Sequence, residues 1–341
     1  MTVTEIARQA GVSIGTVDRV LHNRGRVSPA TKEKIQRIIT HYGYQPNPIA
    51  RHLKKQTSYR IGVLLPELKT GYGYWEVMFR SISDAAAQDF AAFSFIIEPF
   101  FFKRPIAESF AEQFSAMAHA DCDAYIIAPV MQEAAQQLLA TLPAHKPYCC
   151  VDSPLPDAEP VFTIAQNPYK AGFLAGKLTE MVAGYRAGTY VVLESFGTSF
   201  NQDERARGFC NWFEKTGSKS VPVRRLARDF SKSGIIHETQ DVLSATADLA
   251  GICTVSVEVQ FVAEELLRAQ RKADVAVVGF DLVEANRAAL RAGGIDCLIS
   301  QQPKEQGRIA MRQLFRTLVY EETVETAVEI PVELFFKENL I

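Results

Sequence analysis

No apolar stretch in the 341 residues approaches the ~20 needed to span a bilayer. The opening MTVTEIARQ has no apolar core of the kind a secretory leader carries, so a cytoplasmic protein is expected. The six cysteines, at 122, 149, 150, 210, 253 and 297, form no CxxC pair and have no ligand-spaced histidines nearby. Reduced thiols are therefore expected, with neither a disulfide framework nor a metal site. Histidine is scarce: three of the six lie in the first 58 residues, leaving too few for an obvious triad or metal cluster. The chain also lacks the glycine loops that cradle phosphates. GYGYWE does not fit G-x-G-x-x-G, GKS and GKT are absent, and Gly176-Lys177 lies in a helical stretch without a preceding glycine loop. SFGTS lacks the G-x-S-x-G elbow of a nucleophilic serine. Neither an enzyme nor a bound cofactor is expected. The last residues, ELFFKENLI, show no heptad extension, which favours a dimer over a larger coiled-coil assembly.

What is present is ordinary in bulk and uneven in placement. Hydrophobic residues make up 47% and charged residues 22%, as in globular proteins, and the length predicts two or three domains. Residues 1–58 carry ten Lys/Arg against three Asp/Glu, a balance of +7; the rest carries 27 against 36, a balance of −9. A basic head on an acidic body suggests that only the head meets a polyanion. The alternative reading of such charge is a solvated face.

The head reads as three short helices. Thr2-x-x-Glu5 is a capping box that starts helix 1 at Val3, with Ile6 and Ala10 on its apolar stripe. Gly11 permits a sharp turn. Ser13 caps a second helix that turns Val17, Val20 and Leu21 inward, with Val12 just before it. Ser28 and Pro29 open a third, carrying Ile35, Ile38 and Ile39, which Gly43 ends. This is the pattern of a helix-turn-helix unit, whose second helix enters the major groove. Ile14 and Gly15, with Arg19 a turn later, are the positions expected to reach base edges, Arg19 by a bidentate contact to guanine. Ser13, Thr16, His22, Arg26 and Thr31 suit phosphate contacts. Asp18 is repelled by phosphates; pairing with a nearby base and reading a cytosine amino group both remain open. A small helical bundle docking a protein partner is the other reading of the unit.

In YQPNPIARHLKKQTS, Pro46 and Pro48 break the preceding helix, and Asn47-Pro48 starts a short one running through Leu53. So short a helix orders only against something else. Paired copies in a dimer could enter a minor groove through Asn47, Ala50 and Leu53, with Leu53 wedged between base steps. The same composition also suits a flexible linker.

TEIARQAGVSIGTVDRVLHNRGRVSPATKEKI, GYQPNPIARHL and the following RIGVLLP resemble the lactose-repressor (LacI) family of bacterial transcription regulators, along the length of the chain. That family has a small residue where Asp18 stands and varies at Ile14 and Gly15, so no operator sequence carries over. The resemblance implies double-stranded operator DNA and a small-molecule effector as partners, a homodimer, and most often a repressor released by an inducer.

After residue 58 the apolar runs RIGVLL, FSFIIE, AYIIAP, PYCCV, YVVLE, GICTV, VAVVGF and CLIS alternate with amphipathic stretches such as 77–90, 132–142, 169–185, 258–270 and 303–319. That alternation predicts an α/β fold of parallel sheets covered on both faces. The run is too long for one sheet, so two Rossmann-like lobes are expected. The expected layout is a helix-turn-helix domain at 1–45, a hinge at 46–58 and a two-lobed effector and dimerisation domain at 59–341. The lobe divide is expected near 160, at the Pro- and Asp-rich SPLPDAEP, with later crossings near 281 and 325. Ligands in such sheets sit beyond the carboxyl ends of strands. There stand Tyr72, Tyr74 and Trp75, then Asp152, then Gln166 and Asn167, then Arg205, Asp281 and Gln301. Rings that stack on apolar faces, with carboxylates, amides and a guanidinium to bracket hydroxyls, suit a small polar ligand such as a sugar. Each residue alone has a structural reading: Asp281 as a helix cap, Trp75 as core.

IAQNPYKAGFLAGKL, DERARGF, VAVVGFDLVEANRAALRAG and LISQQPKEQG are similar to the LacI-family effector domain and to periplasmic sugar-binding proteins of the ribose type. The match places Tyr74 and Trp75 at the stacking positions, Asp152 at the first-lobe carboxylate, Asn167 at the amide after the crossover and Arg205 at the pocket arginine. Asp281 and Gln301 take the last two polar contacts, Phe230 a second-lobe aromatic, and Ser256 replaces an amide. Ser153 stands where ribose-type binders carry arginine, and TGYGYW replaces their NPFF-like stretch, so ribose itself is not expected. A transport-associated or sensory sugar-binding protein without a regulatory role is the competing reading, which the head and the leaderless start oppose.

Overall fold

The computed structural model describes residues 1–21, 24–44, 58–68, 73–143, 145–195, 199–227 and 232–340. It divides into two compact units, Met1–Thr57 and Ser58–Ile341.

The first unit holds α1 (Val3–Ala10), α2 (Ile14–Leu21) and α3 (Pro29–Tyr42). Both halves of the Thr2 capping box form: Thr2 Oγ1 accepts from Glu5 N at 3.3 Å, and Thr2 N donates to Glu5 Oε2 at 2.8 Å. Gly11, at φ 70, makes the left-handed corner after α1, a conformation that L side chains rarely adopt. Ser13 Oγ accepts from Thr16 N at 3.2 Å and Ser28 Oγ from Thr31 N at 3.3 Å, each satisfying an orphan donor of the first turn. Ile6, Ala7, Ala10, Val17, Val20 and Ile35 form the buried core, flanked by Val12, Leu21, Ile38 and Ile39. The apolar spacing in the sequence thus maps directly onto the inner face.

The second unit contains two six-stranded sheets. Sheet 1 is built from β1 (Tyr59–Pro66), β2 (Phe95–Phe102), β3 (Ala124–Ile127), β4 (Tyr148–Val151), β5 (Phe162–Ala165) and β11 (Ala327–Glu329), in the order β11-β5-β4-β3-β1-β2. Sheet 2 is built from β6 (Thr189–Glu194), β7 (Val221–Leu226), β8 (Leu249–Thr254), β9 (Ala276–Phe280), β10 (Cys297–Ser300) and β12 (Glu333–Phe335), in the order β12-β10-β9-β8-β6-β7. All pairings are parallel except β10 with β12. The central strands are buried on both faces, which explains their near-continuous Val, Ile and Leu.

Helices α4 (Tyr74–Asp84), α5 (Ala107–His119), α6 (Gln132–Leu139) and α12 (Pro303–Val319) cover sheet 1. Helices α7 (Pro168–Val182), α8 (Phe200–Thr216), α9 (Lys232–Ala245), α10 (Val259–Arg268) and α11 (Glu284–Arg291) belong with sheet 2. The chain therefore changes lobes three times: between β5 and α7, between β10 and α12, and between β11 and β12. The expected divide near 160 falls in the loop before β5, and the expected crossings near 281 and 325 fall just after β9 and just before β11. The segment 153–160 is a loop that leads into β5, which still hydrogen-bonds to β4. Residue 281 only ends β9; the chain stays in the second lobe through α11 and β10, and crosses at Gln301–Gln302. Gln166 marks the meeting of the crossings. Its buried Nε2 donates to Ser300 O at 3.0 Å and Pro331 O at 3.3 Å, joining residues from all three connections.

Candidate functional site

In the first unit, Ser13, Ile14, Gly15, Arg19 and Arg26 are exposed, and Ile14 keeps 52% of its surface open. Ile14 and Gly15 open α2, and Arg19 stands in its last turn. Thr16 and Thr31 are half-buried, and their hydroxyls already contact Ser13 Oγ at 3.0 Å and Ser28 Oγ at 2.8 Å. Arg24 is also exposed. His22, Asn47, Ala50 and Leu53 lie outside the described residues.

In the second unit, a cavity of about 480 Å³ opens between the lobes, beyond the carboxyl ends of the strands. Tyr74, Trp75, Asp152, Arg205, Ser256, Asp281 and Gln301 all line it. Tyr72 and Phe230 lie outside the described residues. Asn167, which is not among these lining residues, is the N-cap of α7, with Oδ1 accepting from Lys170 N at 3.0 Å.

Two carboxylates occupy equivalent places in the lobes. Asp152 follows β4 and Asp281 follows β9, each with φ 70. The N–H of each donates to a neighbouring strand, Asp152 to Ile164 O at 3.0 Å and Asp281 to Ile299 O at 2.9 Å. Aspartate tolerates the left-handed region better than most residues, and here it turns each carboxylate at the end of its strand.

Asp152 is richly satisfied. Tyr74 donates its hydroxyl at 2.6 Å, Ser153 Oγ donates at 2.9 Å and Asn201 Nδ2 donates at 3.0 Å. Gln306, from the first turn of α12, accepts from Asp152 N at 2.9 Å and donates to Gln301 O at 2.9 Å, binding the first-lobe carboxylate to the crossing segment. Burial, and then the neighbouring Asp152, raises the Tyr74 hydroxyl well above the ordinary range, so it stays a donor.

Asp281 accepts from Gln301 Nε2 at 2.7 Å. Gln301 in turn accepts from Arg205, which also donates to Val255 O at 3.0 Å and lies 4.4 Å from the centre of the Phe280 ring. Arg205 is 4% exposed, so its direction is fixed by the backbone, the amide and the ring together. Burial pushes the Asp281 carboxyl up to about 6, a rise that Arg205 and Gln301 only partly offset. Burial also lowers the Arg104 guanidinium, which enters the wall from the loop after β2.

Several buried polar atoms here have no protein partner among the described residues: Asn201 Oδ1, Arg205 Nε, Ser256 Oγ and Glu258 Oε2. Both donors and acceptors are therefore left for a ligand with several hydrogen-bonding groups. Trp75, edge-on to Tyr74 with ring centres 4.8 Å apart, supplies an aromatic wall. The sequence reading missed Arg104, Asn201, Glu258 and Gln306. Asn201 had one usable signal, its position a single helical turn before Arg205 on α8.

The described residues hold no cluster of metal-ligating side chains, and none of the helices among them is long and apolar enough to cross a membrane. Residues 61–322 match the family "Periplasmic binding protein domain", and residues 2–47 match "Bacterial regulatory proteins, lacI family". The HTH-type transcriptional regulator RegA of Clostridium saccharobutylicum is 44% identical over 71 residues, which are 21% of each chain. GalS of Salmonella typhimurium is 42% identical over 72 residues, again 21% of each. These alignments thus span about a fifth of the relatives' length. Among solved structures, a putative LacI transcriptional regulator from Bacteroides fragilis superposes with TM-score 0.74 at 22% identity, covering 83% of this chain and 98% of that one. A transcriptional regulator CelR–cellobiose complex superposes with TM-score 0.65 at 19% identity, covering 98% of each. The fold is therefore that of a two-lobed periplasmic binding protein behind three helices that fit a helix-turn-helix head. The chain belongs to the periplasmic binding protein domain family over residues 61–322 and carries a lacI-family regulatory head at residues 2–47.

Proposed function

We propose that the chain is a sequence-specific DNA-binding repressor whose operator affinity is set by a sugar or sugar derivative bound between its lobes. The observation that carries this reading is the convergence of Asp152, Asp281, Arg205 and Trp75 on one cavity beyond the strand ends, in a chain with a lacI-type head. Arg19 reads guanine, with Ile14 and Gly15 against neighbouring base edges; Ser13, Thr16, His22, Arg26 and Thr31 hold phosphates. Residues 1–45 serve as the DNA-binding domain, 46–58 as the hinge with Asn47, Ala50 and Leu53 toward the minor groove, and 59–341 as the effector and dimerisation domain. A homodimer places two heads in successive major grooves of a near-palindromic site. The effector has different affinities for the two lobe arrangements, and DNA reciprocally changes effector affinity. The protein works in the cytoplasm, without catalysis, as a regulator.

The test has two arms. Full-length protein should retain a duplex selected from a random library in the presence of bulk competitor, while the chain starting at Tyr59 should not. A thermal-shift screen of sugars, sugar phosphates and sugar acids should raise the melting temperature for at least one of them, since a ligand of the native state stabilises it. Retention by neither chain sinks the regulatory reading. Retention without any ligand response sinks the effector reading and leaves the DNA-binding one.

A further inference from the structure

Gly25 lies between two anchors of the head. On its amino side, Arg24 N donates to Arg19 O at 2.9 Å, which returns the chain to the last turn of α2. On its carboxyl side, Val27 packs against the core of Ile6, Val17, Val20 and Ile35. Gly25 itself is exposed and left-handed, at φ 69. Glycine adopts that backbone freely, asparagine and aspartate tolerate it, and alanine resists it.

What faces Gly25 is one side chain. A β-carbon placed on it would have as its three nearest atoms Arg19 Cδ at 3.5 Å, Cγ at 3.9 Å and Nε at 3.9 Å. These are ordinary van der Waals distances, so the Arg19 stem runs past Gly25 where a β-carbon would just touch it. The same turn thus meets Arg19 twice, at its carbonyl through Arg24 and along its side chain through Gly25. Arg19 is exposed, and arginine is rich in rotamers. A loose side chain of this kind loses its freedom on meeting a base pair, and the loss subtracts from recognition. A stem laid along anchored backbone has given up part of that freedom before duplex arrives.

We propose that Gly25 is a positioning residue for sequence discrimination. Its left-handed turn directs the Arg19 stem and sets how sharply Arg19 distinguishes its base pair. This rests on the reading of Arg19 as the guanine contact, and it places a determinant of specificity outside α2, in a residue with no side chain of its own.

The experiment measures binding of the full-length chain to a duplex selected from a random library and to its single-base-pair variants. The proteins are wild type, Arg19→Ala, Gly25→Ala, Gly25→Asn, Gly25→Asp and the Arg19→Ala/Gly25→Ala double variant. Gly25→Ala should lose roughly threefold to tenfold of discrimination, the scale of ordering one such side chain, and only at the base pair where Arg19→Ala loses it. Gly25→Asn, which keeps the turn, should discriminate as wild type does. Gly25→Asp keeps the turn but sets a carboxylate beside the guanidinium, so it should lose discrimination at that same pair; it decides the matter if the Ala variant does not fold. With Arg19 already removed, Gly25→Ala should cause no further loss there. Wild-type discrimination in the Ala and Asp variants overturns the proposal, as does equal weakening on every duplex or a loss that persists in the double variant. If Arg19→Ala weakens all duplexes alike, the guanine reading of Arg19 fails by itself. Additive losses of overall affinity in the double variant then overturn the positioning role as well, and non-additive ones retain it.

Discussion

Asp281 lies buried in the wall of the cavity. Its carboxyl is held up at about 6 because burial penalises the charge more than Arg205 and Gln301 compensate. A carboxyl whose folded pKa lies above its unfolded one binds more protons when folded, so stability is gained as the pH falls through that window and lost as it rises. Relative to Asp281→Asn, the wild type should therefore gain melting temperature between pH 7 and pH 4, by up to about 3 kcal/mol of stability. Parallel melting curves for the two proteins would show that the group titrates normally. The same substitution should abolish the effector response while leaving effector-free DNA retention intact. In the head, Arg19→Ala should cost ~1–3 kcal/mol of discrimination at one base pair and little general affinity. Binding measured on a selected site and on mismatched duplexes checks it, and uniform weakening would count against base reading. At this scale the site was legible wherever a residue directly follows a strand, because the carboxyl ends of a parallel sheet converge. Tyr74, Asp152, Arg205 and Asp281 stand at or near such ends. Asn167 also follows a strand, and there it opens α7 as its N-cap. Arg104 and Glu258 come from loops whose course no spacing reveals.

Elements meet most closely where α7 crosses α8. A β-carbon on Gly172 would fall 2.0 Å from Arg205 O, and one on Gly208 would fall 2.3 Å from Tyr169 O. Only two bare backbones fit there. Gly172→Ala should cost ~1–3 kcal/mol or more by overpacking, and it should weaken effector binding because the displaced backbone is that of Arg205. Denaturant melts and ligand titration on the same preparation separate the two effects; an unchanged midpoint would mean the helices can part freely. The strong strands and most helices were visible as apolar runs and amphipathic stretches. Two of the missed strands, β11 and β12, are three residues long, too short for a period to register. β7 reads VPVRRL because it is a sheet edge: Arg224 reaches Glu194 at 2.8 Å and Asp203 at 2.8 Å, and charge on an edge deters pairing with other chains.

Across the whole molecule, charge is partitioned, +7 in the first 58 residues against −9 in the remainder. Affinity for duplex should therefore fall steeply with salt, by roughly a thousandfold or more between 50 and 200 mM if six or more phosphates are neutralised. Filter retention across that range tests it, and a flat response would mean that the basic head is a solvated surface only. The α/β class and the two-lobed plan were legible from strand–helix alternation. The places where the chain changes lobe were not, because composition marks loops and is silent about which sheet the next strand joins.

Those three passages between lobes bear on how the protein is made. The first lobe waits for α12 and β11, and the second for β12, all supplied after residue 300. On the ribosome, neither half can finish its sheet until β11 or β12, at residues 327–335, has emerged. A premature stop after Ser300 would leave two unfinished halves instead of one intact lobe, and no single proteolytic cut can release either lobe complete.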